Sequence, residues 1–295
     1  MEEEIKNWEE IGRLGKEVYD YAQSLIKKNV KALEIAEKIE EYVKSKGLKF
    51  SFPVNLSSDN MAAHFTPLYG DESIIGELVK LDMGLMKDGY ICDMSKTFDL
   101  TDDKRYGKLI LASKEALQNA INMIKEGVKL MDIGKTIEKT INSHGFSPVR
   151  NLCGHQLKRY VLHAGLSIPN YDNKDERKLE ENQVIAVEPF ATPGIGEVRD
   201  GGPSGIYNLV LKKPIRDSMS RKILKFIEYE YKTLPFSSRW IVKEFGQKAV
   251  FSLRLLEKEG ILHHYTKLVE KSGKPVSQAE HTILVKKDSC KVLTG

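Results

Sequence analysis

The chain repeats itself once, and this constrains its fold more than any other feature. Residues 26–48, IKKNVKALEIAEKIEEYVKSKGL, align without a gap on residues 124–146, IKEGVKLMDIGKTIEKTINSHGF, at an offset of 98. Ile26, Lys27, Val30, Lys31, Ile35, Ile39, Glu40, Ser45 and Gly47 are identical to their counterparts. Each copy opens on a turn at Asn29 or Gly127 and continues with apolar residues at helical spacing. Each stops at Gly47 or Gly145, where glycine closes a helix in the left-handed conformation. The periodicity predicts a further amphipathic helix before each copy, over about 5–27 and about 104–126. An extended, proline-containing segment follows each, Phe52-Pro53-Val54-Asn55-Leu56 and Ser147-Pro148-Val149-Arg150-Asn151-Leu152. A unit of this length used only twice is no solenoid. It predicts two α/β halves related by a pseudo-two-fold axis, with any site between them.

From 207 to 270 the character changes. Helical patterns return, at Ile223, Leu224, Phe226, Ile227 and Tyr231 and again at Val250, Phe251, Leu253, Leu255 and Leu256, with little punctuation. Residues 207–270 are therefore expected to form a mostly helical insertion into a body made of 1–206 and 271–295. Net charge is +4, spread over many mixed Lys and Glu positions, which gives no ground for a specific nucleic-acid partner. Cys92, Cys153 and Cys290 are odd in number and lack CxxC spacing, which disfavours a disulfide framework and fits a reducing compartment. No apolar run approaches the roughly 20 residues that span a bilayer. The start, Met1-Glu2-Glu3-Glu4, is unlike a signal peptide. A cytoplasmic monomer without membrane contact is the expectation.

Five residues stand in settings that call for a cation: Asp82, Asp93, His155, Glu188 and Glu280. Three of the four acids lie in or beside stretches that read as buried strands, where an unpaired carboxylate is costly. Leu81 to Asp93 reads as a hairpin turning at Lys87-Asp88-Gly89. A four-residue loop at 86–89 places Asp82 opposite Asp93, whereas a two-residue Asp-Gly loop shifts the register by two and keeps both acids on one face. Either register brings like charges within roughly 4.5–8 Å. Glu188 sits in Val184-Ile185-Ala186-Val187-Glu188-Pro189-Phe190, an apolar strand of the kind buried on both faces. For it the competing explanation is a salt bridge to Lys or Arg. Glu280 opens the strand Glu280–Val285. His155, His163 and His64 are each ambiguous taken alone. Four carboxylates match the charge of two divalent cations, which points to metal-assisted hydrolysis. Imidazole suits zinc, cobalt, nickel or iron, and carboxylate suits manganese or magnesium, so the metal stays open.

These residues also carry a resemblance. LDMG with Asp82 and then Asp93, NLCGH…YVLHAG with His155 and His163, VEPFAT with Glu188 and QAEHTILV with Glu280 together resemble the methionine aminopeptidases. The likeness covers nearly the whole chain. The insertion with Leu234-Pro235-Phe236-Ser237-Ser238-Arg239-Trp240 resembles the type II class, and the short N-terminal region resembles its archaeal members. The resemblance implies an α+β pita-bread fold: two related halves around a curved antiparallel sheet, with a helical, winged-helix-like insertion. It implies two divalent metal ions (cobalt, manganese, iron, zinc or nickel) held by Asp82, Asp93, His155, Glu188 and Glu280, with Asp93 and Glu280 bridging. It further implies Glu188 as proton shuttle, His163 on the scissile carbonyl and His64 orienting the substrate, with Phe52, Leu162, Phe190 and Tyr265 around the methionine side chain. The substrate implied is a peptide or nascent-protein N-terminus with a small second residue, in possible proximity to the ribosome. Cys153 and Ala279 depart from the Asn or Ser and the aromatic residue frequent at those places in the family. The competing expectations are a proline-specific metallopeptidase of the same fold and a non-catalytic interaction module.

Overall fold

The computed structural model describes residues 2–295. The first half runs α1 (Glu2–Ser24), α2 (Ala32–Ser45), β1 (Lys49–Ser58), a short β2 (Met61–Ala63), β3 (Leu78–Lys87) and β4 (Tyr90–Asp99). The second runs α3 (Gly107–Met123), α4 (Leu130–Ser143), β5 (Ser147–Pro148), β6 (Cys153–Leu157), β7 (Ser167–Pro169), β8 (Val184–Val187) and β9 (Phe190–Thr192). The repeated segments are α2 and α4. Asn29 and Gly127 before them, and Gly47 and Gly145 after them, all take positive φ, between 62° and 81°. The turn and stop residues therefore occupy the left-handed region that their chemistry tolerates.

The chain continues through β10 (Val198–Leu209), α5 (Ser218–Glu230), β11 (Phe236–Ser237), α6 (Ser238–Phe245), α7 (Ala249–Lys258) and β12 (Leu262–Glu270). It then returns to the body as β13 (Ser277–Val285) and β14 (Cys290–Val292). The main sheet has the order β1-β3-β4-β13-β8-β6-β7, with β5, β9 and β14 attached to its flanks. Every neighbouring pair along this order is antiparallel. The pseudo-two-fold axis passes between β4 and β13, so that β3 matches β8 and β1 matches β6. Each half owns a core. Ile35, Ile39 and Val43 of α2 share one buried cluster with Leu81, Met83 and Leu85 of β3, and Ile133, Ile137 and Ile141 of α4 share another with Ile185, Val187 and Ile283.

Period-two alternation then decides where the acids point. In β3 the odd-numbered Leu81, Met83 and Leu85 face the helices, so Asp82 projects from the other face. Cys92 and Met94 do the same for Asp93 in β4, and Ala279 and Ile283 for Glu280 in β13. A second, four-stranded sheet, β11-β10-β12-β2, closes over that opposite side. Residues 207–270 thus hold α5, α6 and α7 around a core of their own, including Ile223, Ile227, Ile241 and Leu253, together with β11 and β12. Through β12, which pairs with β2, they also join the first half. Among the described residues no helix is long and apolar enough to cross a membrane.

Candidate active site

The β3–β4 hairpin settles the register left open by the sequence. Lys87 pairs with Tyr90 and Gly84 with Asp93, so the loop is the two-residue Asp88-Gly89 turn, with φ of 52° and 91°. That is the type I′ turn Asp-Gly favours. Asp82 stands opposite Ser95 and diagonal to Asp93 on one face. Thr282 fastens this hairpin to β13. It receives the Asp93 backbone N–H on Oγ1 at 2.7 Å and donates that hydroxyl to the Asp93 carbonyl at 2.8 Å.

Two expectations are corrected. Glu280 does not open a strand but lies in the middle of β13, which begins three residues earlier at Ser277. The stretch from Val184 to Phe190 is not one strand either. It breaks at Glu188-Pro189, because proline has no N–H for the ladder. The break releases the Glu188 side chain towards the acids of the other half.

All the residues singled out in the sequence line one cavity of about 450 Å³: Phe52, His64, Asp82, Asp93, His155, Leu162, His163, Glu188, Phe190, Tyr265 and Glu280. Asp93, His155 and Glu280, all buried, offer ligand atoms within 4.8 Å of one another. His155 Nε2 lies 3.6 Å from Asp93 Oδ2 and 3.7 Å from Glu188 Oε1. Burial, and then the mutual repulsion of the acids, push the Asp93, Glu188 and Glu280 carboxyls well above the usual carboxylate range. Burial alone raises Asp82, against a hydrogen bond from Gln278. Burial, followed by the neighbouring His163, drops His155 to about 3, which keeps it neutral and able to ligate.

The salt-bridge explanation fails here. Among the described residues no Lys or Arg ion pair to any of the four acids is found, and the imidazole beside Asp93 and Glu188, that of His155, is itself neutral. Lys80, two residues before Asp82 and fully buried, donates instead to the Asp59 carbonyl at 2.9 Å. Asp82 Oδ1 and Asp93 Oδ1 are buried with no hydrogen-bond partner. Orphaned carboxylate oxygens, a neutral imidazole and four crowded acids make a donor set that fits divalent cations.

His64 and His163 stand in the walls. The His64 Nδ1 lies 3.1 Å from the Thr266 carbonyl, which only accepts, so Nδ1 carries the proton and Nε2 is left as an acceptor. Burial pushes this imidazole down to about 4. The His163 ring meets that of His155 at 4.5 Å between centroids, edge to face, and its surroundings depress its pKa. Phe52 enters the cavity over Gly84. A Cβ there would lie 2.1 Å from Ser51 Oγ and 2.3 Å from the Phe52 ring, so only glycine permits the approach.

Sequence reasoning missed Gln278. It is buried, and its Nε2 lies 3.3 Å from both Glu188 Oε2 and Glu280 Oε2, bridging the acid just past β8 to that of β13. Its position two residues before Glu280, on the same strand face, was the available signal. Asn55, Ile206 and Pro235 are further lining residues.

A fold of two related halves with an acid-and-imidazole floor defines a class of metal-dependent hydrolases. The family description "Metallopeptidase family M24" matches residues 6–223, and the chain belongs to that family. Relatives of almost equal length carry the name methionine aminopeptidase. The one from Pyrococcus horikoshii is 44% identical over 289 residues, covering 97% of both chains. The one from Methanothermobacter thermautotrophicus is 39% identical over 294 residues, covering 98% of both. Among solved structures, methionine aminopeptidase from Rickettsia prowazekii superposes with a TM-score of 0.71 at 20% identity, covering 100% of this chain and 98% of that one. The last comparison establishes the pita-bread fold, and the first two bear out the resemblance seen in the sequence.

Proposed function

We propose that the chain is a methionyl aminopeptidase that removes the N-terminal methionine of peptides and nascent proteins, preferring a small second residue. The observation that carries this is the junction, in one cavity, of the crowded acids and His155 with a largely apolar slot. Two divalent cations held by Asp82, Asp93, His155, Glu188 and Glu280 would supply charge neutralisation, acidification of a water and polarisation of the scissile carbonyl. The chain's own groups do the rest. Glu188, released at the strand break, takes a proton from the attacking water and returns it to the departing amine. His163, neutral, donates to the carbonyl oxygen as that atom gains charge. His64 accepts a substrate N–H on Nε2. Phe52, Leu162, Phe190 and Tyr265 enclose the methionine side chain, whose flexible thioether fits an irregular aromatic slot. Residues 1–206 and 271–295 form the catalytic body. Residues 207–270 form a subdomain whose β12 brings Tyr265 to the cavity.

Metal-loaded protein is offered Met-Ala-Ser and acetyl-Met-Ala-Ser. Release of methionine from the free-amine peptide alone is expected. No release from it overturns the reading, and equal cleavage of both removes the part played by the free amine.

A further inference from the structure

The loop that carries His163 is gripped from the inserted segment, and the grip has no assigned purpose. After β6 the chain makes a tight turn at residues 158–161, closed by Lys158 N–H to Val161 O at 3.0 Å and Val161 N–H to Lys158 O at 2.8 Å. Tyr160 lies in that turn with φ of 59°. Its N–H donates to the Gly89 carbonyl at 2.8 Å, and the neighbouring Arg159 Nε donates to the Asp88 carbonyl at 2.8 Å. Both contacts tie the turn to the β3–β4 hairpin, which bears Asp82 and Asp93. From the other side Thr233 Oγ1 donates to the Tyr160 carbonyl at 2.5 Å, and Lys232 Nζ sits 3.8 Å from the centroid of the Tyr160 ring.

Lys232 is itself left-handed, with φ of 56°. Two non-glycine residues in an unfavourable backbone region therefore meet across the boundary between body and insertion. Such conformations persist only where the surroundings hold them, and an ammonium over an aromatic face is an attraction of comparable size. Downstream the consequence is short-range. Leu162 is buried in one cluster with Leu234, and His163 follows at once. The far end of the loop is fixed by the Ala164 N–H to Gln156 O bond at 2.8 Å.

We propose that Lys232 and Tyr160 form a positioning joint through which the insertion sets the pose of His163. Neither residue touches substrate; they act on the chemical step through the loop. The proposal rests on the aminopeptidase reading and is tested beside it. Lys232→Gly removes the ammonium while supplying a residue at ease in the left-handed region, so folding stability is retained or raised. Its kcat on Met-Ala-Ser is expected to fall about tenfold with KM within about twofold, the signature of a misplaced catalytic group. Lys232→Arg and Tyr160→Phe preserve the cation–ring pair and are expected to restore kcat to within about twofold of the parent. In hydrogen exchange on metal-free protein, residues 158–166 are expected to exchange faster in Lys232→Gly alone. Parental kcat and exchange in Lys232→Gly overturn the joint, and so does a rise in KM with kcat intact, which assigns the contact to the Leu162 wall. If the parent enzyme releases no methionine, the function reading falls, while the exchange experiment still decides whether the joint holds the loop.

Discussion

Glu40 and Glu138 occupy the same place in the two copies of the repeat, and their surroundings give them opposite weight in stability. Glu40, on α2, accepts from Arg239 Nη1 at 2.7 Å and from Trp240 Nε1 at 2.6 Å. The Arg239 side chain is 0% exposed, and its Nε donates to the Pro67 carbonyl at 3.0 Å. Glu138, on α4, accepts from Arg150 at 2.7 Å, but that arginine is 54% exposed. Glu40→Ala leaves a buried guanidinium without its counterion, which costs about 3–5 kcal/mol. It also strands the Trp240 indole N–H, for about 1 kcal/mol more. Against a total folding stability of about 5–15 kcal/mol this is a large fraction. Glu138→Ala removes a pair screened at the exposed arginine together with the acceptor of the Asp172 N–H at 3.1 Å, and is expected to cost about 1–2 kcal/mol.

Urea unfolding followed by tryptophan fluorescence measures both. The double variant Glu40→Leu with Arg239→Met removes both charges and keeps the volume apolar. It is expected to recover most of the loss, with an interaction free energy of about 3 kcal/mol between the two sites. The reasoning is refuted if Glu40→Ala and Glu138→Ala lie within about 1 kcal/mol of each other, or if the two changes in the double variant simply add.

His64, held at about 4 in the folded protein against 6.5 as the ordinary value, refuses a proton that the unfolded chain accepts. Stability is therefore intact above pH 6.5 and lost as pH falls from there towards 4, and unfolding free energies from urea titrations at pH 7.5 and 4.5 should differ by about 2 kcal/mol less in His64→Gln. Gly84→Ala drives a methyl into Ser51 and Phe52; it should cost about 1–3 kcal/mol in stability and raise KM for methionyl peptides more than it lowers kcat. Asp93→Ala or Glu280→Ala should abolish turnover together with bound metal, scored by elemental analysis. His163→Ala should keep the metal and lower kcat by about 10²–10³-fold. Full activity in either carboxylate variant contradicts the assignment of the site.

Much of this was legible in the sequence because the signals were local. The two helix starts and stops follow from Asn29, Gly127, Gly47 and Gly145, whose left-handed backbone is written in residue type. The hairpin was narrowed to two registers, and Asp-Gly chemistry favours the one found. What was not legible depends on partners far along the chain. The strand start expected at Glu280 is one example, since Ser277 and Gln278 before it are polar and carry no local strand signal. Both are buried in the strand, Ser277 donating its hydroxyl to the Leu109 carbonyl and Gln278 receiving Thr97 Oγ1 on its carbonyl. In the same way β10 and β12 form a sheet because each supplies the other's partner, from Val198–Glu270 at one end to Leu209–Leu262 at the other, which no window of one strand reveals.

The symmetry also explains why so hostile a floor is tolerated. Each half is stabilised by its own helices on one face of the sheet, where Leu81 and Met83, or Ile185 and Val187, are fully buried. That leaves the opposite face free to carry acids at the seam: Asp93 on β4 and Glu280 on β13 as neighbours across the axis, with Asp82 and Glu188 one strand further out. Unpaired, these groups oppose folding, and the same burial and mutual repulsion raise their pKa values. Any cation that binds the folded seam and not the unfolded chain relieves it, so metal affinity and fold stability draw on the same repulsion.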